Sequence, residues 1–216
     1  MHKLEAIAER IHQSFEARTT ARDRILAQAR TLTRHCANTI RAVHRDEYTL
    51  AEEHLREARQ LVESIRTMLG EYPDLYYAGY SQDALKEYAE ANIVYAMISD
   101  VGLPTPEDLG LECATYLQGL AEAVGEFRRR CLDSLLHERP QDAVQLLSHM
   151  DNIYAVLVTM DYPDAITGGL RRLTDVARGI IERTRGDLTI SLRQEHLEQS
   201  LRQVEQRLAD ADDTRL

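Results

Sequence analysis

Apolar residues recur at helical spacing along almost the whole chain of 216 residues, and this periodicity constrains the fold most. Only five prolines and ten glycines interrupt the chain, and no segment alternates apolar and polar residues as a strand would. We therefore predict an all-α fold. The expected helices are Leu4 to His44 (which Thr19 and Thr20 could break), Tyr48 to Leu69, Ser81 to Ser99, Thr105 to His137 with Thr105 as N-cap, Gln141 to Met160, Ala165 to Arg183 and Ile190 to Ala209.

The charge of the chain is acidic, with 36 acidic and 26 basic residues and a formal net charge of −10. Its average field repels nucleic acid, so a phosphate-binding surface requires a local concentration of basic residues. Apart from Lys3 and Lys86, every basic residue is Arg, which suits phosphate binding but also fits a GC-rich genome. Arg34, Arg41 and Arg45 share a helical face and are our candidates for nucleic-acid binding. A solvated face is the alternative.

Two features bear on location. The three cysteines, Cys36, Cys113 and Cys131, form no CxxC pair, which is typical of a reducing compartment. No run of about 18 apolar residues is present, and the first ten residues lack the apolar core of a signal peptide. We expect a soluble cytoplasmic protein without a membrane partner.

The segment "KEYAEANIVYAMI" places carboxylates on an otherwise apolar helical stripe. Asp83, Glu87, Glu90, Val94 and Met97 follow one another at spacings of four, three, four and three. Partly buried carboxylates repel one another, so they need a basic partner, a shared proton or a divalent cation. Oxygen ligands without Cys or His would suit Mg²⁺ or Mn²⁺ rather than zinc. The residues alone leave these alternatives open.

A further acid, Asp151, interrupts another helical stripe, where a cap or an arginine partner could also explain it. Its neighbours on that stripe are Val144, Leu147, Tyr154 and Val158. Glu122 and Glu126 lie on the flank of their helix, and the pattern predicts surface positions for both. The chain contains a single Glu-x-x-His, at Glu9 to His12, whereas a di-iron helix bundle needs that motif on two helices, so we reject a di-iron site. It contains no Walker A or GxGxxG loop.

Several segments resemble the translin family. "YLQGLAEAVGEFRRRCLDS", residues 116–134, is similar to the signature helix of that family, and "EYPDLYYAGY" to its aromatic turn. "RDRILAQARTLTRHCANTIRAVHR" resembles its long N-terminal helix and "HMDNIYAVLVTMD" its penultimate helix. The order is consistent over roughly residues 20–188. The resemblance implies an elongated bundle of about six to seven antiparallel helices. One departure is Thr115, where the family often has Asp.

"KEYAEA" is closer to the catalytic branch of the family, translin-associated factor X, than to translin proper. The resemblance implies a Mg²⁺-dependent endoribonuclease, in which Glu87, Glu90 and Asp151 hold the metal and activate water. Mn²⁺ is the expected substitute. Glu126 is a weaker assignment, as a further ligand or a base. The alternatives are a non-catalytic protein that binds single-stranded RNA or DNA, and a scaffold subunit that needs a partner chain.

The resemblance also implies a closed homo-oligomer, typically of eight subunits, with RNA inside. Single-stranded DNA is a further expected ligand. Beyond the resemblance, a narrow apolar seam suits either a partner helix or the chain's own bundle. It consists of Leu197, Leu201, Val204 and Leu208. We therefore expect one translin-like domain over residues 1–188 and an additional amphipathic helix with a short tail over residues 189–216.

Overall fold

The computed structural model describes residues 2–213, and the side chains of these residues except at positions 69, 71 and 208–213. Within that range the protein consists of nine helices and contains no strand, which confirms the predicted all-α class. The helices are α1 (His2–His44), α2 (Tyr48–Glu71), α3 (Pro73–Tyr76), α4 (Gly79–Ile98), α5 (Pro106–Leu109), α6 (Cys113–Leu136), α7 (Pro140–Leu157), α8 (Asp164–Thr167) and α9 (Leu170–Asp213). No helix in the described range combines the length and apolar character needed to cross a membrane.

Two long helices are more continuous than the sequence predicts. Helix α1 runs unbroken through Thr19 and Thr20. Helix α9 continues through the expected break between Arg183 and Ile190. Gly186 disfavours helix by about 1 kcal/mol, but its neighbours supply compensating contacts. Leu188 is 4% exposed, and Asp187 forms an ion pair of 2.9 Å with Arg128.

The helix expected from Thr105 to His137 is instead two helices, α5 and α6. Thr105 caps α5 as predicted, because its hydroxyl accepts from the Asp108 backbone N–H and the Asp108 carboxylate accepts in return. Gly110 then takes a left-handed conformation, with φ of 65°, and ends α5 after four residues. Glycine tolerates this conformation, which is why the chain can turn there before α6 begins.

The chain forms two compact units, each with its own core. The first unit contains residues 2–123 and 161–173, and α1 packs there against α2 and α4. Its core includes Ile25, Leu32 and Leu85. The second unit contains residues 124–160 and 174–213, and Phe127 and Met150 are fully buried in it. The proposed boundary between residues 188 and 189 stays a prediction. The last residues of the expected C-terminal segment, 214–216, lie outside the described range.

Candidate metal centre and nucleic-acid interface

A glycine sets the approach between α4 and α6 in the first unit. A Cβ atom on Gly119 would lie 2.6 Å from the Ala89 Cβ, 2.8 Å from the Lys86 carbonyl oxygen and 2.9 Å from the Glu90 backbone nitrogen. Two of these three atoms belong to backbone, so neither helix can yield easily to a larger side chain. The contact therefore brings α6 directly against the segment of α4 that carries the carboxylate pair.

Three glutamates meet beside this contact. Carboxylate oxygens of Glu87, Glu90 and Glu122 all lie within 4.8 Å of one another. Glu90 is 8% exposed, while Glu87 and Glu122 are half-buried. The predicted pair on α4 is therefore brought together as expected, and α6 supplies a third acid. The pattern predicted surface positions for Glu122 and Glu126, and both are only partly exposed, at 27% and 26%. Gly119, one turn before Glu122, holds that face of α6 against α4.

Lys86 lies at the edge of the glutamate cluster. Its Nζ is 2.9 Å from a Glu122 oxygen and 4.0 Å from Asp83. Burial lowers the pKa of Lys86, but the hydrogen bond and charge of Glu122, with the charges of Asp83 and Glu87, outweigh burial and raise it overall. The Asp83 side chain is 77% exposed, so the predicted buried stripe begins only at Glu87.

Helix α1 supplies an apolar floor near the cluster. Cys36 is fully buried, and that burial, together with the charges of Glu87 and Glu90, raises the pKa of its thiol far above the usual value. The thiol is therefore protonated at neutral pH and packs as a small apolar side chain. The thiol is therefore not a candidate ligand, and the glutamates are.

Asp151 and Glu126 lie in the second unit and have basic partners there. Arg185 Nη2 donates to both Asp151 oxygens, at 2.7 and 2.9 Å. The Asp151 side chain is 41% exposed, so the carboxylate is half in solvent. Arg129 lies 3.8 Å from Glu126, whose side chain is 26% exposed. For Asp151 the structure provides the arginine partner that the sequence left as an alternative.

The predicted arginines lie on the exposed side of α1 and just beyond its end. Arg34, Arg41 and Arg45 are all exposed, and Arg41 donates to the Asn38 side chain. The stretch from residue 24 to 45 contains five arginines and no Asp or Glu. In a chain of net charge −10 this segment is locally basic. Sequence neighbours on α1 therefore do not neutralise Arg34 and Arg41, whereas Asp46 and Glu47 directly follow Arg45.

Comparison with known proteins identifies solved structures that share this fold. No family model matches the chain. Over 188 residues it is 28% identical to an uncharacterized protein of Methanocaldococcus jannaschii, with 86% of this chain and 83% of that protein covered. Among solved structures, the complex of AfC3PO with duplex RNA is 34% identical, with a TM-score of 0.78 over 85% of this chain and 95% of that one. C3PO structures are translin-like.

The chain belongs to the translin family. A second AfC3PO crystal structure agrees, at 32% identity and the same TM-score and coverage. The structure of apo-NeC3PO, at 21% identity and a TM-score of 0.78, shows the shared fold alone. The family resemblance seen in the sequence is thereby confirmed. Its assignment to the catalytic branch remains a prediction that depends on Glu87 and Glu90.

Proposed function

We propose that this translin-family protein binds RNA and cleaves it as a divalent-metal-dependent endoribonuclease. One observation carries the proposal: three glutamates converge in the first unit with their oxygens within 4.8 Å of one another. The similarity to AfC3PO, a protein whose structure contains duplex RNA, supports RNA as the ligand. The match of "KEYAEA" to the catalytic branch supports hydrolysis.

The glutamate cluster fits the cation that the family implies. Mg²⁺ takes oxygen ligands at 2.0–2.1 Å, so its ligand atoms lie between about 3 and about 4.2 Å apart. The oxygens of Glu87, Glu90 and Glu122 lie within 4.8 Å of one another and would have to move closer together to reach ligand spacing; all three offer only oxygen. Mn²⁺ accepts the same ligands. When bound, either ion would lower the pKa of a coordinated water and stabilise charge on the phosphate.

The protein's own residues would position this chemistry. Glu90 is the most buried of the cluster, and the close contact of α4 with Gly119 fixes the backbone between Lys86 and Glu90. Such rigidity favours catalysis because ligands need not reorganise during the reaction. Asp151 and Glu126 stay predicted members of the site. Glu126 would act as a ligand or accept the proton of the attacking water.

A second candidate function is RNA binding without cleavage. The ion pairs of Lys86 with Glu122 and of Arg185 with Asp151 favour it, because they neutralise two of the acids without any metal. A cleavage assay on labelled RNA with Mg²⁺, with Mn²⁺ and with EDTA separates the two functions. We expect cleavage with either metal and binding alone in EDTA. Metal-independent binding with no cleavage under any condition would instead support the non-catalytic function.

The arginine surface predicts how RNA binding responds to salt. Substituting Arg34, Arg41 and Arg45 by Gln should weaken RNA affinity and reduce the slope of log K against log salt by about 2–3, because each phosphate contact contributes about 0.7–0.9. A matched control replaces three other exposed arginines by Gln, namely Arg171, Arg178 and Arg193. Binding measured from about 50 to about 300 mM salt, below and above the physiological ionic strength of about 150 mM, tests this. If the slope of log K against log salt fell equally in both triple variants, the arginines of α1 would have no special part in RNA binding. Single-stranded DNA in the same series tests the wider ligand range.

We further propose that RNA is held within a homo-oligomer of about eight chains, as the family resemblance implies. The C-terminal part of α9 supports assembly, because Leu197, Leu201 and Val204 are each more than half exposed. The side chain of Leu208 lies outside the described residues. Light scattering on the full chain and on a variant ending at Asp187 tests this. The account expects a mass far above a dimer that falls on truncation, and a monomeric full-length chain would contradict it.

A further inference from the structure

Two histidines from different helices face each other in the first unit. His35 lies on α1 and His54 on α2, and their Nδ1 atoms are 3.3 Å apart. The rings meet edge to face, with centroids separated by 5.3 Å and planes inclined at 68°. Both residues are half-buried. The packing of α1 against α2 therefore holds the two nitrogens in place while solvent can still reach them.

This separation is the one that a tetrahedral metal requires. Zinc–nitrogen bonds are 2.0–2.1 Å long, so two ligands at the tetrahedral angle lie about 3.3–3.4 Å apart. Imidazole suits zinc, copper and nickel, whereas Mg²⁺ prefers oxygen. We propose that His35 and His54 form a second metal site, which binds a borderline transition-metal cation such as Zn²⁺ through both Nδ1 atoms, with water at the remaining positions.

The surroundings keep the nitrogens available. Burial lowers the pKa of His35, and the neighbouring His54 and Arg34 lower it further. Glu57 raises it, but the pKa of His35 stays below its usual value. Rings that carry their proton on Nε2 would present both Nδ1 lone pairs to the ion, so no proton would have to leave. Without a metal, one Nδ1–H can donate to the other ring instead.

Thermal unfolding with and without Zn²⁺ tests the site directly. His35→Asn and His54→Asn keep a hydrogen-bonding group near the Nδ1 position but weaken metal ligation. At a hundredfold excess of Zn²⁺ over its dissociation constant, we expect the wild-type Tm to rise by about 5–10 °C. Neither variant should show this rise. His149→Asn, which changes another half-buried histidine, should behave as wild type. A wild-type protein without the rise, or a full rise in both variants, would overturn the site.

Cobalt spectroscopy separates this site from the glutamate cluster. Co²⁺ bound by two imidazoles should give visible absorption that either His35→Asn or His54→Asn abolishes. The double variant Glu87→Gln and Glu90→Gln should retain it, since those ligands belong to the other site. Loss of the absorption in the glutamate variant, with retention in the histidine variants, would refute the assignment. The histidine site is thus tested independently of any ribonuclease activity.

Discussion

The acidic residues of the two units lie in contrasting surroundings. In the first unit, Glu87, Glu90 and Glu122 are gathered from two helices into one cluster, and Glu90 is almost wholly buried. In the second unit, Asp151 is half-exposed and accepts both of its described hydrogen bonds from one arginine, Arg185. Burial and mutual repulsion add to the cost of the first arrangement, although Lys86 partly offsets it at Glu122, whereas an exposed pair is close to neutral for stability. This contrast is the reason that our proposal assigns the principal metal ligands to the first unit.

The largest expected effect comes from the buried glutamate. Glu90→Gln should lower metal-dependent RNA cleavage at least about a hundredfold, since it removes an oxygen ligand that fixes the cation. Stability should be unchanged or slightly raised, because the substitution relieves repulsion within the cluster. Cleavage rates and urea unfolding check both expectations. The control is Asp83→Asn, which removes one charge from an exposed position of the same helix. Equal RNA cleavage rates for the two variants would show that Glu90 contributes no more to cleavage than an exposed surface acid does.

The next effect tests the helix contact that builds the cluster. Gly119→Ala should reduce the free energy of unfolding by about 1–3 kcal/mol, because the added methyl meets backbone atoms of α4. Gly125→Ala is the matched control on the same helix, where an added Cβ has no neighbour within 4 Å. In Gly125→Ala the greater helix propensity of Ala should raise the free energy of unfolding by about 0.5–1 kcal/mol. Urea unfolding measures both variants. If both changes shifted stability in the same direction, the Gly119 contact would not determine where Glu122 lies.

The smallest effect concerns Lys86 and pH. A lysine whose pKa is raised in the folded state contributes stability that is complete below its unfolded pKa of about 10.4, and loses it as pH rises through the folded value. Lys86→Met, which keeps the aliphatic stem, should therefore be less stable than wild type by under about 1 kcal/mol from pH 7 to about pH 10. The difference should shrink above that range.

The control for this experiment is the chain's other lysine. Lys3 is exposed, so Lys3→Met should match wild type at every pH. Unfolding in urea between neutral and alkaline pH provides the comparison. A stability difference for Lys86→Met that stays constant beyond the titration range would show that the lost contribution is packing rather than charge.

Sequence pattern predicted the features that depend on a single helix. The helical spacing of Glu87 and Glu90 identified the pair, and Thr105 was correctly recognised as an N-cap because its signal lies within four residues. Helix ends were less well predicted. At Gly110 a left-handed turn divides one expected helix. Around Gly186 two expected helices are instead one continuous helix, in which Leu188 is buried.

Features that require two helices could not be read from spacing. Glu122 joins the cluster because Gly119 permits close approach to a helix some thirty residues earlier in the chain. His35 and His54 are 19 residues apart, and only the packing of α1 on α2 brings their nitrogens together. Glycine inside an amphipathic helix was the one available signal, since it often marks a close contact between helices. It would have indicated Glu122 but not the histidine pair.

The most direct test of the central claim is Mn²⁺ binding, followed by electron paramagnetic resonance of the free ion. Mn²⁺ prefers oxygen ligands and substitutes for Mg²⁺, so it reports on the glutamate cluster rather than on histidines. The account predicts a saturable site in the wild-type chain that is lost in the double variant Glu87→Gln and Glu90→Gln and retained in Asp83→Asn. Undiminished Mn²⁺ affinity in the double variant would contradict the assignment of the metal to the first unit.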